Sequence, residues 1–307
     1  MDKIPDPAVM KGFKIASAQY DIGFLENWDG YVNKVRSWFE EAARQDAKFL
    51  VFPEYFSMEL ASLFPESVYR SLSGQLEALE SLLPDFLSLF SDLAHQHQVF
   101  VVAGSYPVKQ DGGAYHNRAY LLGPEGFSEF QDKLQMTRFE NEHWHITQGD
   151  EIKTFLTPYG RVGINICYDS EFPMIARAQV EQGANMILAP SCTDTVAGYW
   201  RVRIGCQARA LENQCYVIQS PTVGAAPWSE AVDSNIGAAA IYTPVDYGYP
   251  DNGVLAIGTL NATQWVFAEI DPESIGNIRS TGQVFNYRDW PSQFRCLTKD
   301  PKPKVQE

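Results

Sequence analysis

Three residues of this 307-residue chain stand where apolar runs give way to polar ones, and their types are those that acyl transfer needs. Glu54 closes KFLVFPEY (48–55), Lys133 closes YHNRAYLLGPEGFSEFQDK (115–133), and Cys167 lies in GINICYDSEFP (163–173). A thiol attacks a carbonyl only as thiolate, and burial alone would raise its pKa and leave it inert. An ammonium ~4 Å away contributes on the order of 4 kcal/mol at an effective dielectric of ~20, enough to offset that penalty, and Lys133 could supply it. The oxyanion formed by attack needs preorganised donors, for which the Lys133 ammonium and the Tyr168 backbone N–H are the natural pair. The leaving amine must then be protonated and the thioester hydrolysed by an activated water, and Glu54 can serve as base, acid and base again.

Singly, each residue has a structural reading: a strand cysteine is a small core residue, a strand-end glutamate is solvated, and a loop lysine lies on the surface. Together they favour chemistry, since a silent scaffold has no need of an ionisable triad at strand ends.

Other chemistries lack their signatures. The chain has no GxGxxG, no Walker A loop and no GxSxG elbow. His95 and His97 fall in a helical pattern where i and i+2 do not face each other, and His143 and His145 suit a loop better than a metal pair. The five cysteines, Cys167, Cys192, Cys206, Cys215 and Cys296, are odd in number and form no CxxC, which disfavours a disulfide framework. With 24 Lys and Arg against 38 Asp and Glu, the net charge of −14 opposes nucleic acid and anionic membranes. There is no 18-residue apolar run, and MDKIPDPAVMKGF lacks the apolar core of a signal peptide, so a cytoplasmic protein is expected.

Positioning these residues requires strands. FKIASAQY (13–20), KFLVFPEY, VFVVAGSYP (99–107), the pair within 115–133, a hairpin turning at 158–160, MILAPS (186–191), CYVIQSPT (215–222), AAAIYTPV (238–245) and WVFAEID (265–271) all read as strands. Helical spacing recurs after Asn27, over 73–98 with a break or kink at Pro84, over 172–182 and over 200–213. LQMTRFENEHWHITQGD (134–150) reads as an irregular loop, and the tail from Tyr287 as an extended arm. The alternation, without a linker, predicts one α/β domain over 12–285 with a C-terminal extension at 286–307.

FPE at 52–54, DK at 132–133 and GINICYD at 163–169, in that order, resemble the nitrilase superfamily of carbon-nitrogen hydrolases, and ARALENQCYV (208–217) and LGPEG (122–126) extend the likeness. The resemblance implies a four-layer αββα sandwich, usually dimerised through helices and often assembled further, that needs no metal or organic cofactor. It also implies a second glutamate beyond the lysine that positions substrate and keeps Lys133 charged. Glu142 aligns best with that role, with Glu140 the alternative.

Tyr168-Asp169 after the nucleophile resembles amidases and carbamoylases more than nitrilases, where Trp-Glu is usual. A small amide is thus the leading substrate, with N-carbamoyl compounds and nitriles as alternatives. The expected substrate-contacting residues are Glu142, Tyr168, Glu171 and Cys192. Many related amidases carry an arginine where Glu171 stands. If Glu171 lines the pocket, with Asp169 and Glu142 near, a neutral or cationic amide is favoured over one bearing a carboxylate. Alternatively, Glu171 caps the helix that begins at Phe172.

Overall fold

The structure is a computed structural model and describes residues 12–297. In chain order, β1 (Phe13–Asp21) leads to α1 (Trp28–Arg44), β2 (Ala47–Val51), α2 (Glu66–Tyr69), α3 (Leu72–Leu79), α4 (Leu83–His97), β3 (Phe100–Lys109), β4 (Tyr115–Leu122) and β5 (Ser128–Asp132). There follow β6 (Ile146–Thr147), β7 (Thr154–Thr157), β8 (Gly160–Ile164), α5 (Pro173–Glu181), β9 (Met186–Ser191), α6 (Val196–Asn213) and β10 (Tyr216–Ala225). The last are β11 (Ser234–Asn235), β12 (Ala240–Tyr242), β13 (Val254–Ile257), β14 (Gln264–Ile270) and α7 (Pro272–Thr281).

Local chemistry sets several boundaries. Asn27 caps α1 by accepting from the Gly30 N–H at 2.9 Å, and Tyr31, Val35, Trp38, Phe39 and Ala42 form the buried face. Pro84 starts α4 in its first turn, where its missing N–H would have had no helical partner. The expected break at Pro84 is therefore a boundary between helices.

The strands form two sheets. One runs β14-β1-β2-β3-β4-β5, with β1, β2 and β3 parallel. The other runs β7-β8-β9-β10-β12-β13, with β8, β9 and β10 parallel. They join where the end of β1 pairs with β10, Tyr20 opposite Thr222. Alternation divides the first sheet's faces. Ala16, Leu50, Val101 and Leu122 pack with α1 and α4, whereas Ile15, Phe49, Val51, Val102 and Leu121 pack toward Ile164, Leu188 and Ile218 of the second sheet. Phe13, Phe49 and Phe100 surround Tyr159 of the β7–β8 turn at 4.6, 6.3 and 5.9 Å between ring centroids. Ala176 and Val180 of α5 and Val202, Cys206 and Ala210 of α6 cover the second sheet. The result is the expected αββα sandwich. Each fully buried Ile, Val or Phe between the sheets contributes roughly 1.5–3 kcal/mol by leaving water, so the strand ends are held by a rigid core.

Two segments differ from their sequence reading. Within the supposed loop 134–150, Phe139–Trp144 forms one wide helical turn. The tail from Tyr287 is not extended where described: residues 286–297 make short helical turns, and the Tyr287 ring lies under the guanidinium groups of Arg177 and Arg279, at 4.9 and 4.2 Å. Residues 298–307 of the expected extension lie outside the described residues. Among the described residues, no helix is long and apolar enough to cross a membrane.

Candidate active site

Glu54, Lys133 and Cys167 each follow a strand: β2, β5 and β8 end at Val51, Asp132 and Ile164. The turn carrying Glu54 is seated on an irregularity in β3, whose register shifts between Val102 and Ser105. Ser105 donates its N–H to Pro53 O at 3.3 Å, and its hydroxyl accepts the Tyr55 N–H at 3.0 Å. Gly104, at φ +56, makes this approach possible, since a Cβ there would lie 2.1 Å from Pro53 O. Tyr55 and Cys167 adopt left-handed backbone angles, φ +53 and +50. Such conformations cost on the order of 1–3 kcal/mol for residues other than glycine and concentrate at functional sites.

The side chains converge. Lys133 Nζ donates to Glu54 Oε1 at 2.7 Å and to Glu140 Oε2 at 2.6 Å, with all three residues buried. Asn117 Nδ2 bridges the same carboxylates, 2.9 Å from Glu54 Oε1 and 3.3 Å from Glu140 Oε1. Glu140 also accepts from the Tyr55 hydroxyl and from the Thr137 N–H and hydroxyl, each at 2.9 Å. Cys167 Sγ lies 3.6 Å from Cys192 O, close enough to Glu54 and Lys133 to feel their charges.

Electrostatics assign protons. Burial pushes the Glu54 carboxyl up, and the Lys133 ammonium only partly reverses it. Burial also acts to raise Glu140, but Lys133 and Thr137 outweigh it and hold this carboxyl below its usual range. For Lys133, burial acts downward, yet Glu140 and Glu54 hold it well above the ordinary lysine value, so it stays charged. Burial and the Glu54 charge push the Cys167 thiol well up, with Lys133 opposing. The resting sulfur is therefore a thiol beside a carboxylate with unusual proton affinity.

A cavity of about 690 Å³ opens over this cluster, lined by Glu54, Lys133, Glu140, Tyr168 and Cys192, among others.

The family profile described as carbon-nitrogen hydrolase matches residues 14–280. The chain belongs to the carbon-nitrogen hydrolase family. It is 35% identical over 276 residues to "Probable hydrolase YhcX" of Bacillus subtilis, covering 90% of this chain but only 53%, about half, of that relative. It is 27% identical over 290 residues to the human omega-amidase NIT2, covering 91% of this chain and 96% of the relative. Among solved structures, Saccharomyces cerevisiae Nit3, a member of branch 10 of the nitrilase superfamily, superposes with a TM-score of 0.72 at 22% identity, covering 90% of this chain and 97% of that one.

Within this carbon-nitrogen hydrolase, the glutamate on Lys133 is Glu140, not Glu142. In the turn Phe139–Trp144, Glu140 and Trp144 share the buried face while Glu142 points outward to pair with Arg138 at 2.8 Å. Tyr168, Glu171 and Cys192 do line the cavity. Glu171 lies 3.5 Å from Arg201, and no side-chain hydrogen bond caps the helix α5 that follows it. Asp169 does not line the cavity: its carboxylate accepts backbone N–H groups instead. Sequence reasoning missed Tyr55, Asn117 and Thr137, whose polar groups hold Glu140. Tyr55 adjoins Glu54, but nothing in the spacing marks Asn117 or Thr137. Among the described residues, no cluster of three or more His, Cys, Asp or Glu could hold a metal.

Proposed function

We propose that the protein hydrolyses a small amide through a thioester on Cys167, releasing ammonia and a carboxylic acid. The observation that carries this reading is Lys133 held between Glu54 and Glu140 beside the Cys167 thiol, beneath a cavity of substrate size. Similarity to a human omega-amidase along nearly the whole chain supports it.

In the proposed cycle, Glu54 takes the Cys167 proton as sulfur bonds to the carbonyl carbon, and the carbonyl electrons move onto oxygen. Lys133 and the Tyr168 N–H stabilise that oxyanion. The Tyr168 N–H precedes the first internal bond of its turn, Asp169 N–H to Ile166 O at 3.0 Å. On collapse the C–N bond breaks and Glu54 gives its proton to the departing nitrogen. Glu54 then takes a proton from water as its oxygen attacks the thioester carbon, the C–S bond breaks to free the carboxylic acid, and Glu54 returns the proton to sulfur to restore the thiol. Glu140 keeps Lys133 charged and in place throughout.

The substrate is a neutral or cationic amide. Beyond the Glu171–Arg201 pair, the cavity lining carries Asp194, Glu230 and Asp233, while its other arginine, Arg138, pairs with Glu142. Assembly into a homodimer or larger homo-oligomer belongs to the same proposal.

The test is ammonia release from matched short amides ending in a carboxylate, no charge or an amine, with Cys167→Ser as control. Turnover that disappears in Cys167→Ser and is poorest for the carboxylate supports the proposal. Full turnover by Cys167→Ser refutes the nucleophile, and a clear carboxylate preference refutes the substrate class.

A further inference from the structure

Asp169 lies two residues beyond Cys167 and is fully buried, yet among the described residues no cationic side chain hydrogen-bonds to its carboxylate. Its Oδ1 accepts the Gln135 N–H at 2.7 Å and the Leu134 N–H at 3.1 Å. Its Oδ2 accepts the Ile166 N–H at 3.0 Å. Leu134 and Gln135 directly follow Lys133, and Ile166 directly precedes Cys167. One carboxylate thus ties together the two segments that carry the ammonium and the sulfur.

We propose that Asp169 is a positioning residue that sets the distance between the Lys133 ammonium and the Cys167 sulfur by clamping the backbone of both segments. The inference rests on the thiol chemistry proposed above. Lys133 follows β5 of one sheet and Cys167 follows β8 of the other, so no strand pairing fixes one against the other. If the ammonium retreated from ~4 to ~6 Å, its support for a thiolate would fall about tenfold at an effective dielectric of ~20. Asparagine would keep the shape of Asp169 but turn an NH₂ toward converging N–H donors. An apolar residue would leave the Leu134, Gln135 and Ile166 N–H groups without their acceptor, so the clamp also carries stability, which melting temperatures read separately from the alkylation curve.

The experiment measures alkylation of Cys167 by iodoacetamide, read by peptide mass, from about pH 6 to about pH 10 in wild type, Asp169→Asn and Asp169→Glu. Melting temperatures are recorded in parallel. Burial pushes the Asp169 carboxyl up to about 7, so the clamp is ionised over the alkaline half of this range. The groups that face the sulfur, Glu54, Lys133 and Cys192, are unchanged in every variant. In folded Asp169→Asn, the alkylation curve moves to higher pH, and below the wild-type midpoint, where the thiolate is the minor species, the rate falls about tenfold. With a substrate in hand, kcat falls ~100-fold while KM changes by less than ~threefold. Asp169→Glu, which keeps the charge but lengthens the clamp, is displaced in the same direction. A folded Asp169→Asn with the wild-type alkylation curve overturns the proposal. So does failure of both variants to fold, which would make Asp169 a stability element. Alkylation needs no substrate, so a shifted curve in a protein that hydrolyses no amide would refute the hydrolase reading and leave the clamp standing.

Discussion

Glu140 Oε2 lies 2.6 Å from Lys133 Nζ, and both side chains are almost fully buried at the floor of the cavity. Breaking a buried pair by removing one partner's charge strands the other, at a cost of about 3–5 kcal/mol. Here the loss falls on the residue assigned to the oxyanion.

Glu140→Gln is therefore expected to lower kcat by at least ~100-fold, about 2.7 kcal/mol of transition-state stabilisation. Glu142→Gln removes only the partner of exposed Arg138 and leaves kcat within ~threefold. Steady-state kinetics of the two variants decide the matter, and equal losses would remove the distinction between the two glutamates.

The pH profile of kcat/KM should carry an acid limb above the ordinary glutamate value of ~4.3. Burial raises the Glu54 carboxyl, so it keeps its proton to higher pH, and the base form is lost as pH falls through that raised value. Glu140, held low, and Lys133, held high, stay charged across the same interval and do not produce the limb. A profile flat down to the ordinary carboxylate range would contradict Glu54 as base.

Assembly has its own candidate surface. Met174 of α5 and Val196, Trp200 and Ile204 of α6 are 58, 50, 46 and 61% exposed, and the last three recur every four residues along one helical face. Wild type at micromolar concentration should scatter light as a dimer or larger species, and Ile204→Asp should shift it toward monomer. A monomeric wild type would count against this face as an interface.

The sandwich was legible because its strands alternate or run apolar in the expected way, and Glu54, Lys133 and Cys167 were conspicuous as polar residues ending such runs. The choice between Glu140 and Glu142 was not legible in that manner. Two glutamates two positions apart fall on opposite sides of a helical turn, and a segment read as loop offers no phase. Trp144, four residues beyond Glu140, was the one hint, since it shares the buried face. Asp169 was misread for a related reason. A carboxylate beside a nucleophile suggests a pocket wall, and only the fold brings the Leu134 and Gln135 N–H groups to it. The tail from Tyr287 is rich in proline and lysine, and the capture of the Tyr287 ring beneath Arg177 and Arg279 depends on elements far away in the sequence.

The thioester is the most direct consequence of the proposed chemistry. Protein mixed with a short amide and acid-quenched during turnover, then digested and analysed by mass spectrometry, should show one acyl group added to the peptide that carries Cys167. The same increment should be absent from Cys167→Ala, which should also release no ammonia. Turnover without any adduct on Cys167, or with the acyl group on Cys192 instead, would contradict the mechanism.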